Sequence, residues 1–447
     1  MKGFRATDKF RQMLKASVVL AAMLPVAIAL AQSSSFADVN KQDSLAEIEK
    51  VCEVLTVQSD GRALSIIKRA MERDLRTNYS AVRVLHSWGA KDPVRIRRDQ
   101  NDLGHNAVLF LSPLKRMGET SVDNGKNWVT FHPDSRTLYI QDSPIKRGVV
   151  GDPSVRFELL KRNYFVRSEG SDTVARRKTS IIRLVPRNEQ SLFTRRFWVD
   201  DDKFVLLRVE WIDRDGTSRV VSETISIDFP ESMPQERFQI KIAGEPRTIH
   251  VQAPQRMATI SDLEKRVGFS IRQPIRMPFG FMLTGADAVI ANNRAMAALR
   301  YTDGATNLTI YQARANPADP PWRPSQARGD FEFEGLLIAV EGDIPPQGRN
   351  AVIVAIREST EARENALIER AANAFGVRSS TVRSLRAQGL GFDETVASLI
   401  LAGRDDERRA KCVGYFIKGR DLSDFSRFFG KSESDVRREL ASFWEAR

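Results

Sequence analysis

The sequence predicts an α+β protein: an incomplete antiparallel β half-barrel wrapped around a helix, then a small α+β domain, then an all-α C-terminal tail. Three observations carry that reading. Residues 43–76 repeat apolar side chains at three- and four-residue spacing. Residues 79–238 switch to short alternating runs separated by turn signals. Beyond Arg357 the helical spacing returns and holds to the end. One helix followed by many antiparallel strands is the pattern of a sheet curling around that helix.

The chain opens with Lys2, Arg5, Lys9, Arg11 and Lys15 against one acid, Asp8, and continues in an apolar run from Ala16 to Ala31. The run ends in Ala29-Leu30-Ala31, a small-x-small cleavage pattern, with Ser35-Phe36-Ala37 as a second cut. A basic start, a short apolar centre broken by Pro25 and a small-residue end read as a signal peptide over 1–31. The run is shorter than the roughly 20 residues that cross a bilayer as a helix. Retained as an anchor, it would still place the rest outside the cytoplasm. No Cys stands at the cut to take a lipid.

The elements follow in order. Asp43-Ser44 starts the first helix, with Leu45, Ile48, Val51 and Leu55, then Leu64, Ile67, Met71 and Leu75, on one face. Ser80–Trp88, Ser191–Val199, Phe204–Ile212 and Ser218–Phe229 read as strands, the last two joined by the hairpin signal Asp213-Arg-Asp-Gly216. The half-barrel is expected over 43–238 and a Pro-containing linker over 239–260. The small α+β unit over 261–357 has a helix at Ser261–Val267 and strands near 281–290, 296–302, 307–313 and 332–341. Its insertion, residues 316–325, holds too many prolines for a strand. Within the tail, 360–447, Phe375-Gly376 to Leu385 echoes Phe429-Gly430 to Leu440, and Gln388-Gly389 echoes Lys418-Gly419. A glycine, a capping residue and a fresh helix is helix-turn-helix geometry. Leu385, Val396, Leu399, Phe425, Phe428 and Leu440 are its expected core.

The 447 residues are enough for two to four domains, and 42% apolar with 28% charged residues is a soluble globular composition. Net charge is +12, and removing residues 1–31 leaves +8. That balance suits peripheral contact with an anionic envelope surface or an acidic protein, or is simply a solvated basic surface. Cys52 and Cys412 either close one bridge in a disulfide-permissive compartment or stay as buried thiols. The four histidines, His86, His105, His132 and His250, have no metal-ligand spacing, so no metal or cofactor is expected. Neither a Gly-x-Ser-x-Gly elbow nor a phosphate-cradling glycine loop occurs. Ser65-Ile-Ile-Lys68 and Ser112-Pro-Leu-Lys115 are chance matches to Ser-x-x-Lys, and the protein is not expected to be an enzyme. Export rules out chromosomal DNA as a partner of the helix-turn-helix-like tail, whose arginines are in any case interleaved with acids.

Particular residues resemble a family. Asp123-Asn-Gly-Lys-Asn-Trp128-Val-Thr-Phe131-His-Pro133 is similar to the turn-then-aromatic-strand motif of the lipoprotein-carrier/lipoprotein-sorting (LolA/LolB-like) superfamily, with an extra Asn124 before Gly125. Phe197-Trp198-Val-Asp200, Leu206-Leu207 and Asp215-Gly216 resemble its hairpin. Gly268-Phe269, Pro278-Phe-Gly280-Phe281, Leu299-Arg-Tyr-Thr-Asp303-Gly304 and Val340-Glu-Gly342 resemble the C-terminal domain of the RseB/MucB branch of sigma-E regulatory proteins. The resemblance covers about 43–357 and leaves the tail outside.

That resemblance implies a periplasmic protein that binds the periplasmic domain of an anti-sigma factor and senses lipid or lipoprotein in a hydrophobic groove. The alternative it implies is a carrier or sorting protein for outer-membrane lipoproteins or lipids, burying their acyl chains. Candidate groove residues are Val84, Trp88, Leu109, Phe110, Trp128, Phe131, Trp198, Leu207 and Trp211, which suit an ordinary core better than a groove.

Overall fold

The computed structural model describes residues 59–445, except 74, 87, 89–91, 146–151, 188–192, 292–293, 316–329 and 343. The leader over 1–31, the first helix up to residue 58, Cys52 and the Pro-rich insertion lie outside the described residues.

The first unit is an open sheet of twelve strands. Helix α1 (Gly61–Arg73) precedes it and is capped by Asp60, whose Oδ1 accepts the Arg62 amide at 2.8 Å. The strands are β1 (Tyr79–Leu85), β2 (Val94–Gln100), β3 (Asn106–Ser112), β4 (Thr120–Asp123), β5 (Asn127–His132) and β6 (Thr137–Asp142), then β7 (Tyr164–Val174), β8 (Arg177–Pro186), β9 (Thr194–Asp200), β10 (Leu206–Ile212), β11 (Ser218–Asp228) and β12 (Arg247–His250). Their spatial order is β12-β6-β5-β4-β3-β2-β1-β11-β10-β9-β8-β7. All neighbours are antiparallel except β12, which lies parallel to β6 at one edge. At the other edge, Asp60 and Ser59 bond to Val166, so the chain entering α1 is tied to β7.

Turn chemistry holds the register. Asp123 Oδ1 accepts the Gly125 amide at 2.9 Å and Asn124 Oδ1 the Asn127 amide at 2.8 Å. Gly125 has φ +80°, as a tight hairpin demands. Asp213 and Gly216 close the β10–β11 turn as the sequence suggests. Helix α1 lays Ala63, Ile67 and Ala70 against Val166, Ile182, Leu184, Phe197, Val209 and Trp211. Full burial of a side chain such as Ile67 contributes about 1.5–3 kcal/mol.

The structure adds elements that the alternating pattern hid. Helix α2 (Pro153–Asn163) interrupts the strands, capped by Asp152 with Pro153 at its first position. The 239–260 segment, read as a linker, supplies β12 to the first sheet and β13 (Gln255–Met257) to the second. After helix α3 (Ile260–Val267) come β14 (Met282–Ala291), β15 (Arg294–Thr302), β16 (Asn307–Arg314), β17 (Asp330–Phe333) and β18 (Leu336–Gly342), in the order β13-β14-β15-β16-β18-β17. The single strand expected at 332–341 is therefore a hairpin, because Glu334 and Gly335 both take positive φ and reverse the chain. Helix α4 (Pro346–Arg357) completes the core on the α3 side, with Leu263, Leu299, Ile310, Val340, Val352 and Ile356.

The tail is α5 (Glu361–Phe375), α6 (Ser379–Ala387), α7 (Phe392–Ala402), α8 (Asp406–Ile417), a short α9 (Leu422–Phe425) and α10 (Glu433–Glu445). The echoed glycines Gly376 and Gly430 both end a helical segment in the left-handed conformation. Leu385, Val396, Leu399 and Phe425 are buried in one core, and Leu440 packs against it. Phe428 departs from expectation: it is 75% exposed, stacked on Tyr415 at 6.4 Å. Its neighbour Phe429 takes the inward position in the short 3-10 turn.

Candidate functional site

The two β units meet at the turn between β15 and β16. Asp303, buried there, uses Oδ1 to accept the amides of Ala305 (2.9 Å) and Thr306 (2.6 Å), which closes the turn. Its Oδ2 accepts the Tyr164 hydroxyl at 2.5 Å and faces Arg195 Nη2 at 3.2 Å, both from the first unit. Asn163 Nδ2, at the end of α2, donates to the Asp303 carbonyl (2.9 Å) and the Gly280 carbonyl (3.1 Å). Gly304 has φ +96°, and a Cβ there would overlap the Leu160 backbone nitrogen. The glycine is what lets a hairpin touch a helix backbone. Burial, aided by the Asp303 carboxylate and opposed by Arg195, pushes the Tyr164 phenol well above its usual range, so it remains a donor.

The tail is fastened to both units at this junction. Arg162 of α2 pairs with Glu394 of α7 at 2.8 Å. Gly419, φ +74°, sits on α2: a Cβ there would lie 2.9 Å from Leu159 Cγ and from the Val155 carbonyl. Gly389, φ +90°, sits on β14, where a Cβ would lie 2.8 Å from Leu283 Cδ2. The echoed Gln-Gly and Lys-Gly pairs are thus two seats, one on each β unit. Nearby, the Phe392 amide donates to the Ile275 carbonyl at 3.1 Å, and Asp393 accepts from Arg276 (3.1 Å) and Trp444 (2.7 Å).

Between these contacts lies a cavity of about 490 Å³. Its walls are the first turn of α2 (Asp152, Val155, Arg156), the start of α3 (Thr259, Ile260), the second sheet (Arg256, Leu283, Val289, Arg300) and the tail (Gln388, Gly389, Ile417). Behind the wall, fully buried Asp287 is 2.9 Å from Arg300 Nη2 and 3.8 Å from Arg256 Nη1. Arg256 also donates to the Thr284 carbonyl. Desolvation lowers the Arg256 pKa from its ordinary value; Asp287 offsets that and Arg300 adds to it.

The nine candidate groove residues do not converge on one space. Cross-strand partners share a face. The rows Tyr79–Gln100–Asn106–Asp123–Trp128–Gln141 and Ala81–Arg98–Val108–Ser121–Thr130–Tyr139 therefore lie on the α1 side, together with Phe110 and Trp211. Trp88 joins Trp211 there at 5.7 Å. Val84, Leu109, Phe131 and Trp198 lie on the opposite face, and Leu207 sits at a bulge. Leu109 and Phe110 are adjacent on one strand and so must diverge. Over β1–β6 the α1-side face is largely polar, with Arg98, Gln100, Ser121 and Thr130 all buried. Trp128 is buried too, its Nε1 donating to Ser121 Oγ at 2.6 Å, while Arg116 covers Phe110 at 3.6 Å. Cys412 is a free thiol in the tail core, pushed up to about 12 by burial. Among the described residues no group of His, Cys, Asp and Glu is placed to hold a metal ion, and no helix is long and apolar enough to cross a membrane.

Residues 62–242 match the family model of the MucB/RseB N-terminal domain. Among solved structures the chain is similar to MucB, at 16% identity and a TM-score of 0.45 over 67% of this chain and 98% of that one. It is similar to a chain of the Pseudomonas aeruginosa MucA/MucB complex, at 15% identity and a TM-score of 0.43 over 66% and 97%. A LolA superfamily protein from Nitrosomonas europaea is similar at 12% identity and a TM-score of 0.20 over 40% and 97%. No curated protein matches the chain.

Proposed function

We propose that this chain, an RseB/MucB-type protein of the LolA-like superfamily across residues 62–242, is a periplasmic regulator that holds an anti-sigma factor and releases it on binding lipid or lipoprotein. The observation that carries the reading is the family match over the first β unit. MucB itself has been crystallised with MucA(peri), and the same kind of partner is proposed here. The Asp303 junction adds a physical reason. With Tyr164 and Arg195 clasping Asp303, a segment lying across both units meets one continuous surface. A ligand that favours a different arrangement of the units would then shift the population away from the partner-competent state. A carrier would need an open apolar face to take acyl chains. The α1 side of β1–β6 instead presents buried polar groups, which favours the regulator.

The test is a binding titration of the exported chain with the periplasmic segment of a single-span anti-sigma factor. Saturable binding, weakened by a diacylated lipoprotein, is expected. Absence of binding to the segment would sink the regulator; acyl-dependent binding without it would favour the carrier.

A further inference from the structure

The cavity walled by α2, α3, the second sheet and the tail is lined mostly by residues beyond the matched N-terminal domain, and its chemistry is specific. Two helix starts converge on it, at Asp152–Arg156 and at Thr259–Ile260. Both starts are capped, Asp152 taking the Ser154 amide and Thr259 the Asp262 amide, so what they add is the positive end of the helix dipole. Three arginines, Arg156, Arg256 and Arg300, share the wall, against Asp152 alone among the acids. Asp287 lies behind that wall, is wholly buried and is closest to Arg300, so one carboxylate serves as inner counter-charge to two guanidiniums. Arg256 keeps 41% of its side chain exposed and is the cation best placed to meet an incoming group. Apolar side chains Leu283 and, at the mouth, Ile417, which is 49% exposed, share the wall with the polar Thr284, Asn307, Thr309 and Gln388.

We infer that this cavity binds a small amphiphilic anion: one phosphate or carboxylate head on a single apolar chain. The head meets Arg256 beside the α3 start, and the chain lies along Leu283 towards Ile417. A volume of about 490 Å³ falls within the range of roughly 300–1,000 Å³ usual for small-molecule sites. The site needs the tail, which supplies Gln388, Gly389 and Ile417 to its wall, and it does not depend on the anti-sigma reading.

Calorimetric titration of the exported chain tests it, using dodecyl phosphate below its micellar concentration, with dodecanol, inorganic phosphate and phosphatidylglycerol vesicles as comparison arms. One dodecyl phosphate should bind per chain, with dodecanol and inorganic phosphate each at least about tenfold weaker. Arg256→Gln should weaken dodecyl phosphate by about tenfold, and Ile417→Asp, a surface change at the mouth, should do so as well. Equal affinity for dodecanol would make the site merely apolar and overturn the inference. Equal affinity for inorganic phosphate would overturn it, as would binding to vesicles alone. Unaltered binding by both variants would place the ligand elsewhere and overturn it too. If Arg256→Gln does not fold, Ile417→Asp decides. No protein partner enters this assay, so its failure is distinct from failure of the regulator reading.

Discussion

Replacing Asp303 by Asn is the sharpest probe of how the two β units are joined. The amide keeps a carbonyl oxygen that can accept the Ala305 and Thr306 amides, so the turn itself survives. What changes is the other side, where an NH₂ group now faces the Arg195 guanidinium and the Tyr164 hydroxyl. Arg195 and Asp303 are only 6% and 2% exposed as side chains, so water does not replace the lost carboxylate. Removing one partner of a buried ion pair costs roughly 3–5 kcal/mol, a large share of the roughly 5–15 kcal/mol that holds a domain folded. Tyr164→Phe deletes one hydrogen bond and costs about 1.5–3 kcal/mol, because its acceptor is charged. Urea unfolding of the native chain, both single variants and the double variant, followed by circular dichroism, reads these losses as midpoint shifts at constant slope. The double variant should lose less than the sum, with a coupling of about 0.5–3 kcal/mol. A D303N midpoint within about 0.5 kcal/mol of the native one would refute the reasoning.

Gly419→Val should lift the tail from α2, costing roughly 1–3 kcal/mol by overpacking and exposing the chain near residue 419 to protease; an unchanged melting temperature and cleavage pattern would count against the seat. Burial raises the Glu341 pKa to about 8, with Asp330 adding and Arg349 opposing. The folded state therefore holds that proton longer than the unfolded chain, and stability should fall as pH rises from about 4.5 to 8. Glu341→Gln should flatten that segment of a stability–pH curve, and an identical slope in the variant would contradict the assignment. Cys412, with its thiol pushed up to about 12 in the tail core, should resist a thiol reagent in the folded chain and react only in urea; prompt labelling of the folded Cys52→Ser variant would show the core to be open.

Much of the architecture was legible because its signals are local. Asp213 to Gly216 announces a hairpin, and the strands on either side of it stand where the alternation puts them. Helix α2 was missed although Asp152-Pro153 is a start signal, because its apolar residues, Val155, Phe157, Leu159 and Leu160, lie amid strand-like sequence. The candidate groove residues divide between the two faces for a different reason. Plain alternation sends Leu109 and Phe110, and Trp128 and Phe131, to opposite faces, while the bulge beside Leu207 is something no sequence period reports. The Asp303 turn lay within a recognisable motif. Its partners did not, since Tyr164 and Arg195 are 139 and 108 residues away along the chain.

The paired glycine seats give the tail a mechanical character. A single attachment would leave it a pendulum, free to swing without disturbing what it touches. Gly389 and Gly419 press on different β units, so the helices between them act as a crossbar. Any twist of one unit against the other loads both ends at once. Stiffness of the whole molecule can then be tuned by editing the bar, with neither sheet altered.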